Sequence, residues 1–405
     1  MLQGQRPSLL QEPQMRATTV AHALSRREML VRAGLVPAAL ALGGLTTACS
    51  STQASPPPPG DAVEERDFDD TPIDAAHVRG GGWGPSRYGS GDERGTLNEV
   101  TAEKTAAALS LLRGSAVRTY DLSERLFNGF PALPTPASPR IYEQRLFVSG
   151  FDPGPGFDGI LDTTTPRALN EFSSVEERFP DGGTYQIGTQ LDNLNHIAVG
   201  DYFYNGFRGA DIAATSGTTK LGAEHIGPVI TRGILLDVLS DKLESSASGD
   251  LVEAPNGSFT LREDYRITVE DLKTALERSG VPQIEPGDVV LIRTGWNQML
   301  YSDPKRFTGF YPGLYLREAR WLAQFRPAIV GADTWGVELL AGAPVEGFAQ
   351  CHQEFIVHNG IRLEESVMLD DLARDHVYEF VYVLTPPKST GATAVNAGPA
   401  ALTVV

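Results

Sequence analysis

Tyr185-Gln186-Ile187-Gly188-Thr189-Gln190-Leu191-Asp192-Asn193-Leu194-Asn195-His196 is the stretch on which the reading of this chain turns. Gln186, Gln190, Asp192 and His196 form the pattern Q-x-x-x-Q-x-D-x-x-x-H. Two amides, a carboxylate and an imidazole stand within eleven residues, broken by Gly188-Thr189. Such groups can converge on one metal ion or one polar substrate. The plainer alternative is a polar turn followed by the start of a helix.

Outward from this stretch, helix and strand signals alternate. Thr101-Ala102-Glu103-Lys104 opens a helical run from Thr105 to Leu112, and Gly114 stops it. Thr268 and Asp271 make a capping-box pattern for a helix that ends near Gly280. Glu318 to Phe325 reads as helix. Val289-Val290-Leu291-Ile292 and Ala328-Ile329-Val330-Gly331 read as short buried strands, the second delivering Asp333. Tyr382-Val383-Leu384 reads as a strand near the end. This mixture predicts an α/β or α+β domain. No internal repeat and no second linker appear between about 80 and 405, so one large domain with a sizeable core is expected.

The chain has 405 residues, 41% apolar and 21% charged, with a formal net charge of −17. A surface of that sign repels nucleic acid and anionic lipid headgroups, which sets aside a nucleic-acid function. Cys49 and Cys351 are the only cysteines, so no disulfide framework is expected.

The N-terminus reads as an address. Arg26-Arg27 precedes the mildly apolar run Ala33 to Leu45, which resembles a twin-arginine export signal and is too short for a comfortable membrane span. Leu45-Thr46-Thr47-Ala48-Cys49 resembles a lipoprotein processing site, with Thr46 a poor match. Lipidation at Cys49 and simple cleavage nearby are the two outcomes, and a periplasmic or cell-surface location follows from either. A short N-terminal helix of the mature protein is the alternative. Residues 1–49 are thus assigned to export. Residues 50–80, with Pro56 to Pro59 and an acidic run, are assigned to a linker. Residues 81–405 form the folded domain, which begins near Gly82-Trp83-Gly84.

Several phrases together resemble the cyclase-like metal-dependent hydrolases, a family that includes kynurenine formamidases and isatin hydrolases. They are Trp83-Gly84, Gly95-Thr96-Leu97-Asn98, Gly188 to Asp192 with His196, and Thr231 to Asp237. Gly287-Asp288 leading to Arg293-Thr294-Gly295-Trp296 follows, then Gly331-Ala332-Asp333-Thr334, His352-Gln353, Gly360-Ile361 with Glu365, and Gly391-Ala392-Thr393. The resemblance covers about 80–400 in order. It implies a single cyclase-like α/β domain with a mixed β core and surrounding helices. The commoner family pattern is H-x-G-T-H-x-D-x-P-x-H. Here Gln186 and Gln190 replace its first two histidines and Leu194 its proline. The chain therefore resembles a glutamine-bearing branch whose members act on lactones such as dienelactones.

The resemblance implies a divalent metal ion, Mn2+ or Zn2+, with Asp192, His352 and Glu365 as ligands. Gln186 and Gln190 join them through side-chain carbonyls, which favour harder ions over zinc, or else hydrogen-bond the substrate. Glu364 beside Glu365 leaves the register open by one residue, and the Gly360-Ile361 match favours Glu365. His196 is the candidate general base, since its ordinary pKa lies near neutrality. Cys351 reads as a small buried residue, His225 as structural or pocket-lining, and Trp296, Tyr204 and Trp335 as core or pocket walls. No P-loop, nucleophile elbow or dinucleotide fingerprint is present; Gly154-Pro155-Gly156 lacks the strand–helix context.

The expected function is hydrolysis of a small lactone, cyclic amide or aryl-formamide by metal-activated water with a His base. The resemblance also implies a homo-oligomer. An exported small-ligand binding protein on a degenerate cyclase fold is the alternative, motivated by the two lost histidines. A kynurenine formamidase proper is a third reading, weakened by the glutamines and by export.

Overall fold

The apolar, β-branched runs around Val229, Val289 and Ile329 form the middle of a nine-stranded mixed sheet. The computed structural model describes residues 68–405 apart from 115, 134–139, 165–169, 172, 180–182, 246–248 and 342–346. The expected export signal, Cys49 and the linker up to residue 67 lie outside the described residues. Among those described, no helix is long and apolar enough to cross a membrane.

In chain order the strands are β1 (Val117–Asp121), β2 (Gln190–Asp192), β3 (Val229–Asp237), β4 (Val289–Arg293), β5 (Ile329–Ala332), β6 (Arg362–Glu365), β7 (Glu379–Leu384), β8 (Ala394–Asn396) and β9 (Ala400–Val404). Across the sheet they run β1-β9-β7-β3-β4-β5-β6-β2-β8. The central four, β3 to β6, are parallel neighbours, and every pairing outside them is antiparallel. Parallel strands buried on both faces read as continuous apolar runs, which is why Val289 to Ile292 and Ile329 to Val330 were legible. A separate three-stranded sheet joins Arg145–Ser149, Ile160–Asp162 and Ser174–Arg178.

Side chains alternate across each strand. Ile234, Leu236, Val290, Ile292, Val330 and Leu363 enter one core. Leu191, Leu235, Val289, Leu291, Ile329 and Tyr382 enter another. The helices include α1 (Ala75–Arg79), α2 (Ala102–Leu109), α3 (Val238–Glu244), α4 (Val269–Ser279), α5 (Leu316–Ala323) and α6 (Gln350–His352). Leu239, Leu272, Ala275, Ala319 and Leu322 of α3 to α5 fill the first core. The expected cap pairs are present: the Thr101 side chain accepts from the Lys104 amide, and Thr268 and Asp271 cap α4 reciprocally. Gly280 ends α4 at φ +71°, a left-handed conformation that suits glycine. The mixed α/β expectation thus holds, with one curled sheet at the core.

Residues 68–80, within the stretch assigned to the linker, pack on this domain. Phe68 lies against the first core, and Asp70 pairs with Arg266 at 2.8 Å.

The Gly95-Thr96 phrase is a clasp between the start of the domain and β6. Thr96 donates its amide to the Gly360 carbonyl at 2.9 Å, and its hydroxyl reaches the Gly360 and Ala328 carbonyls. Gly95 sits at φ +61°, and a Cβ there would meet the Gly360 oxygen at 2.0 Å. Neither the torsion nor the space accepts a side chain. Gly95→Ala is therefore expected to lower stability by about 1–3 kcal/mol, read as a lower denaturant midpoint by circular dichroism. A midpoint equal to the parent's would show that the clasp is dispensable.

Candidate metal centre

Gly188 and Thr189 shape the decisive stretch. Gly188 turns the chain at φ +63°, where a Cβ would strike the Leu126 side chain at 2.4 Å. Thr189 then donates its hydroxyl to the Ser366 carbonyl at 2.6 Å and accepts from the Glu124 amide at 2.6 Å. The next three residues are β2, where the plainer reading expected a helix start. β2 lies antiparallel between β6 and β8, with Gln190 opposite Glu365 and Asp192 opposite Leu363 on β6. Beyond β2, the Asn193 amide donates to the Thr393 carbonyl, and the Asn195 side chain reaches the Gly391 and Ala392 carbonyls. The Gly391-Ala392-Thr393 phrase thereby holds the chain that leaves β2.

The period of two in β2 and β6 puts Gln190, Asp192 and Glu365 on one face. Glu364 points the other way and accepts from the Tyr382 hydroxyl at 2.7 Å. Burial pushes the Glu364 carboxyl up to about 8. Glu365, not Glu364, therefore joins the cluster. α6 supplies His352 from the other side. Donor atoms of Asp192, His352 and Glu365 all lie within 4.8 Å of one another. His352 Nε2 is 3.2 Å from Glu365 Oε1 and 3.9 Å from Asp192 Oδ2.

The two glutamines stand one layer back. Gln186 donates through Nε2 to Asp192 Oδ1 at 2.9 Å, and Gln190 donates through Nε2 to Glu365 Oε2 at 2.7 Å. Gln190 also donates to Gln186 Oε1 at 3.0 Å. The expected approach of their carbonyls to a metal is not the arrangement seen: they present N–H groups, because the facing atoms are carboxylate oxygens. Each carboxylate thus has one oxygen tied by a glutamine and the other turned toward His352 Nε2.

Glu338, a residue the sequence reading did not single out, orients His352. Its Oε2 accepts from His352 Nδ1 at 2.6 Å and from the His352 backbone amide at 3.0 Å. Carboxylate support at the far nitrogen of a ligating histidine fixes the ring and raises its basicity. The sequence signal was faint, a lone acid in Gly336-Val337-Glu338-Leu339.

His196 flanks the cluster, with Nε2 3.5 Å from Asp192 Oδ2 and Nδ1 3.2 Å from Gln186 Nε2. A neutral ring that accepts from Gln186 at Nδ1 carries its proton on Nε2. Burial lowers its pKa below the ordinary value, helped by His352 and Arg140 and opposed by Asp192. Burial also pushes Glu365 up to about 7, with the Asp192 charge adding to it. Burial opposes protonation of His352, but its bonds to Glu338 and Glu365 outweigh that and hold its pKa well above the ordinary value.

Asp192, Glu338 and Glu365 are all buried around one imidazole. Asp192 Oδ2 is a buried oxygen with no hydrogen-bond partner. A buried acid of this kind is costly unless a cation compensates it. The oxygen–nitrogen donor set suits a divalent ion. The residues therefore fit the metal that the sequence reading implied.

The cluster lies at a cavity of about 400 Å³ lined by residues that include Gln186, His196, Trp335, Glu338, His352 and Glu365. Residues 120–339 match the family described as "Putative cyclase", more than half of the chain. The chain belongs to this cyclase family. A crystal structure described as a novel cyclase is similar to it at 26% identity, covering 79% of this chain and 98% of that one with a TM-score of 0.61. An isatin hydrolase bound to the product analogue thioisatinate shares the fold, at 16% identity and a TM-score of 0.50, over 75% of this chain and all of that one. No match was found among curated proteins.

The remaining candidates fall outside the cluster. Trp335 lines the cavity, whereas Trp296 and Tyr204 are core residues. His225 is half-exposed beside Glu93, 3.2 Å away. Cys351 is fully buried with its thiol near the Leu314 carbonyl, and burial pushes its pKa well up.

Glu338→Gln is expected to weaken manganese binding by roughly 10- to 100-fold with the circular dichroism spectrum unchanged. Calorimetric titration of the two proteins checks this. Equal affinities would remove Glu338 from the site.

Proposed function

We propose that this chain is a metal-dependent hydrolase that opens a small lactone, cyclic amide or aryl-formamide. The observation that carries the reading is the convergence of Asp192 Oδ2, Glu365 Oε1 and His352 Nε2 beside a largely apolar cavity. A divalent ion, Mn2+ or Zn2+, held by these three residues supplies Lewis acidity there, polarising a carbonyl and acidifying water. The two carboxylates favour manganese. Gln186 and Gln190 hold the ligand carboxylates in place through their second oxygens, which is the sense in which the chain forms a glutamine-bearing branch.

His196 handles the proton. Burial keeps the ring neutral, and Gln186 orients it through Nδ1. Nε2, on the Asp192 side, takes a proton from the attacking water and returns one to the leaving oxygen or nitrogen. In the base form the ring proton sits on Nδ1, so the 3.2 Å contact with Gln186 Nε2 is given up while Gln186 keeps its bond to Asp192. The apolar wall of Leu133, Ile197, Trp335, Leu340 and Phe348 holds the substrate ring and limits water to the reacting end. Expression through a twin-arginine signal would place this activity outside the cytoplasm.

The test is metal analysis and turnover on dihydrocoumarin, isatin and N-formylaniline. Asp192→Ala is expected to lose the metal and all activity. His196→Ala is expected to keep the metal and lose roughly 10²- to 10⁴-fold in kcat. Unchanged turnover in His196→Ala would remove the proton-handling role. A parent protein that takes up neither manganese nor zinc would sink the hydrolase reading and favour the binding-protein alternative.

A further inference from the structure

Arg140 lines the same cavity, and no part of the mechanism above uses it. The other buried or half-buried arginines have protein partners. Arg232 pairs with Asp288, Arg266 with Asp70 and Glu318, Arg293 with Asp237 and Asp370. Arg362 donates through Nε to Asn193 Oδ1 and through Nη1 to the Arg94 carbonyl; its Nη2 has no partner among the described residues, but it does not line this cavity. Among the described residues, Arg140 makes no ion pair and no hydrogen bond, although Glu338 and Glu365 line the same space. Its charge is near enough to act on both His196 and Glu365.

A second unspent donor lines the same cavity. Trp335 lines the cavity, and its indole Nε1 is buried with no hydrogen-bond partner. A buried donor without a partner costs stability unless a ligand satisfies it. The cavity thus holds a guanidinium and an indole N–H without protein partners among the described residues, beside the acids and candidate metal ligands, and Leu133, Ile197, Leu340 and Phe348 supply walls that suit a ring. With a net charge of −17 the chain as a whole repels anions, so capturing one demands a local cation that is not already paired. A guanidinium recognises a carboxylate through parallel N–H donors in a way a lone point charge does not.

We propose that Arg140 anchors a carboxylate carried by the substrate, so that the cavity selects small cyclic acids over neutral rings of the same size. The substrate class is then a carboxylate-bearing lactone or cyclic amide, its reacting carbonyl toward Asp192, His352 and Glu365. The naming of a substrate rests on the hydrolase reading; anchoring of the anion does not require turnover.

The experiment uses the full-length, manganese-treated protein and two probes of equal size, benzoate and benzamide, followed by calorimetry. The parent is expected to bind benzoate at least tenfold more tightly than benzamide. In Arg140→Ala the benzoate affinity is expected to fall roughly 10- to 100-fold while benzamide binding stays as in the parent, which also reports an intact cavity. Arg140→Lys should recover part of the preference. Benzoate binding unchanged in Arg140→Ala would assign the carboxylate to another group and overturn the proposal. So would an equal loss of both probes, or no benzoate preference in the parent. A preserved preference in a protein with no turnover on any substrate would sink the hydrolase reading and leave the anchor standing. Turnover without the preference would do the reverse.

Discussion

The antiparallel pairing of β2 with β6 is the constraint on which the site depends. Three residues of β2 set Gln190 and Asp192 against Glu365 and Leu363, and so join two parts of the chain about 170 residues apart. A slip of one residue would turn Asp192 into the opposite core and Leu191 into the cluster. Several contacts hold the register. Thr189 bonds across to Ser366, Arg362 reaches back to Asn193, and the Gly391-Ala392-Thr393 loop grips Asn193 and Asn195 from the other side. A strand this short has little pairing of its own, so its flanks define where it sits.

That register concentrates acid where acid is expensive. Asp192, Glu338 and Glu365 crowd His352 away from water, and burial, with the Asp192 charge behind it, raises the pKa of Glu365. Gln186 and Gln190 offset part of that cost by donating to the outer oxygens, while Glu365 Oε1 meets His352 Nε2 and Asp192 Oδ2 keeps no hydrogen-bond partner. Amide donors thus stand one layer behind the carboxylates.

Much of the fold was legible because its middle is parallel sheet and capped helix. Val289 to Ile292 and Ile329 to Val330 are buried on both faces and read as unbroken apolar runs. Thr268 with Asp271 and Thr101 with Lys104 announce helix starts through local hydrogen bonds, which need no tertiary partner. β2 was not legible, because three residues of mixed polarity carry no periodicity. Residues 68–80 looked like solvated linker because acidic residues usually are, yet Asp70 meets Arg266, whose position only the fold determines.

The residue types of the candidate centre were set by the sequence alone. Asp192, His352 and Glu365 could be named from their phrases, since ligand chemistry belongs to the side chain. Their roles were decided by tertiary structure. Strand alternation placed Glu365 inside the cluster and Glu364 against Tyr382. Hydrogen-bond direction turned the glutamines' N–H groups toward the carboxylates. Glu338 and Arg140 come to the cavity only through packing, because neither carries a local motif. Local sequence encodes which groups a segment offers. Which of them meet, and through which atom, depends on register and packing that no short stretch contains.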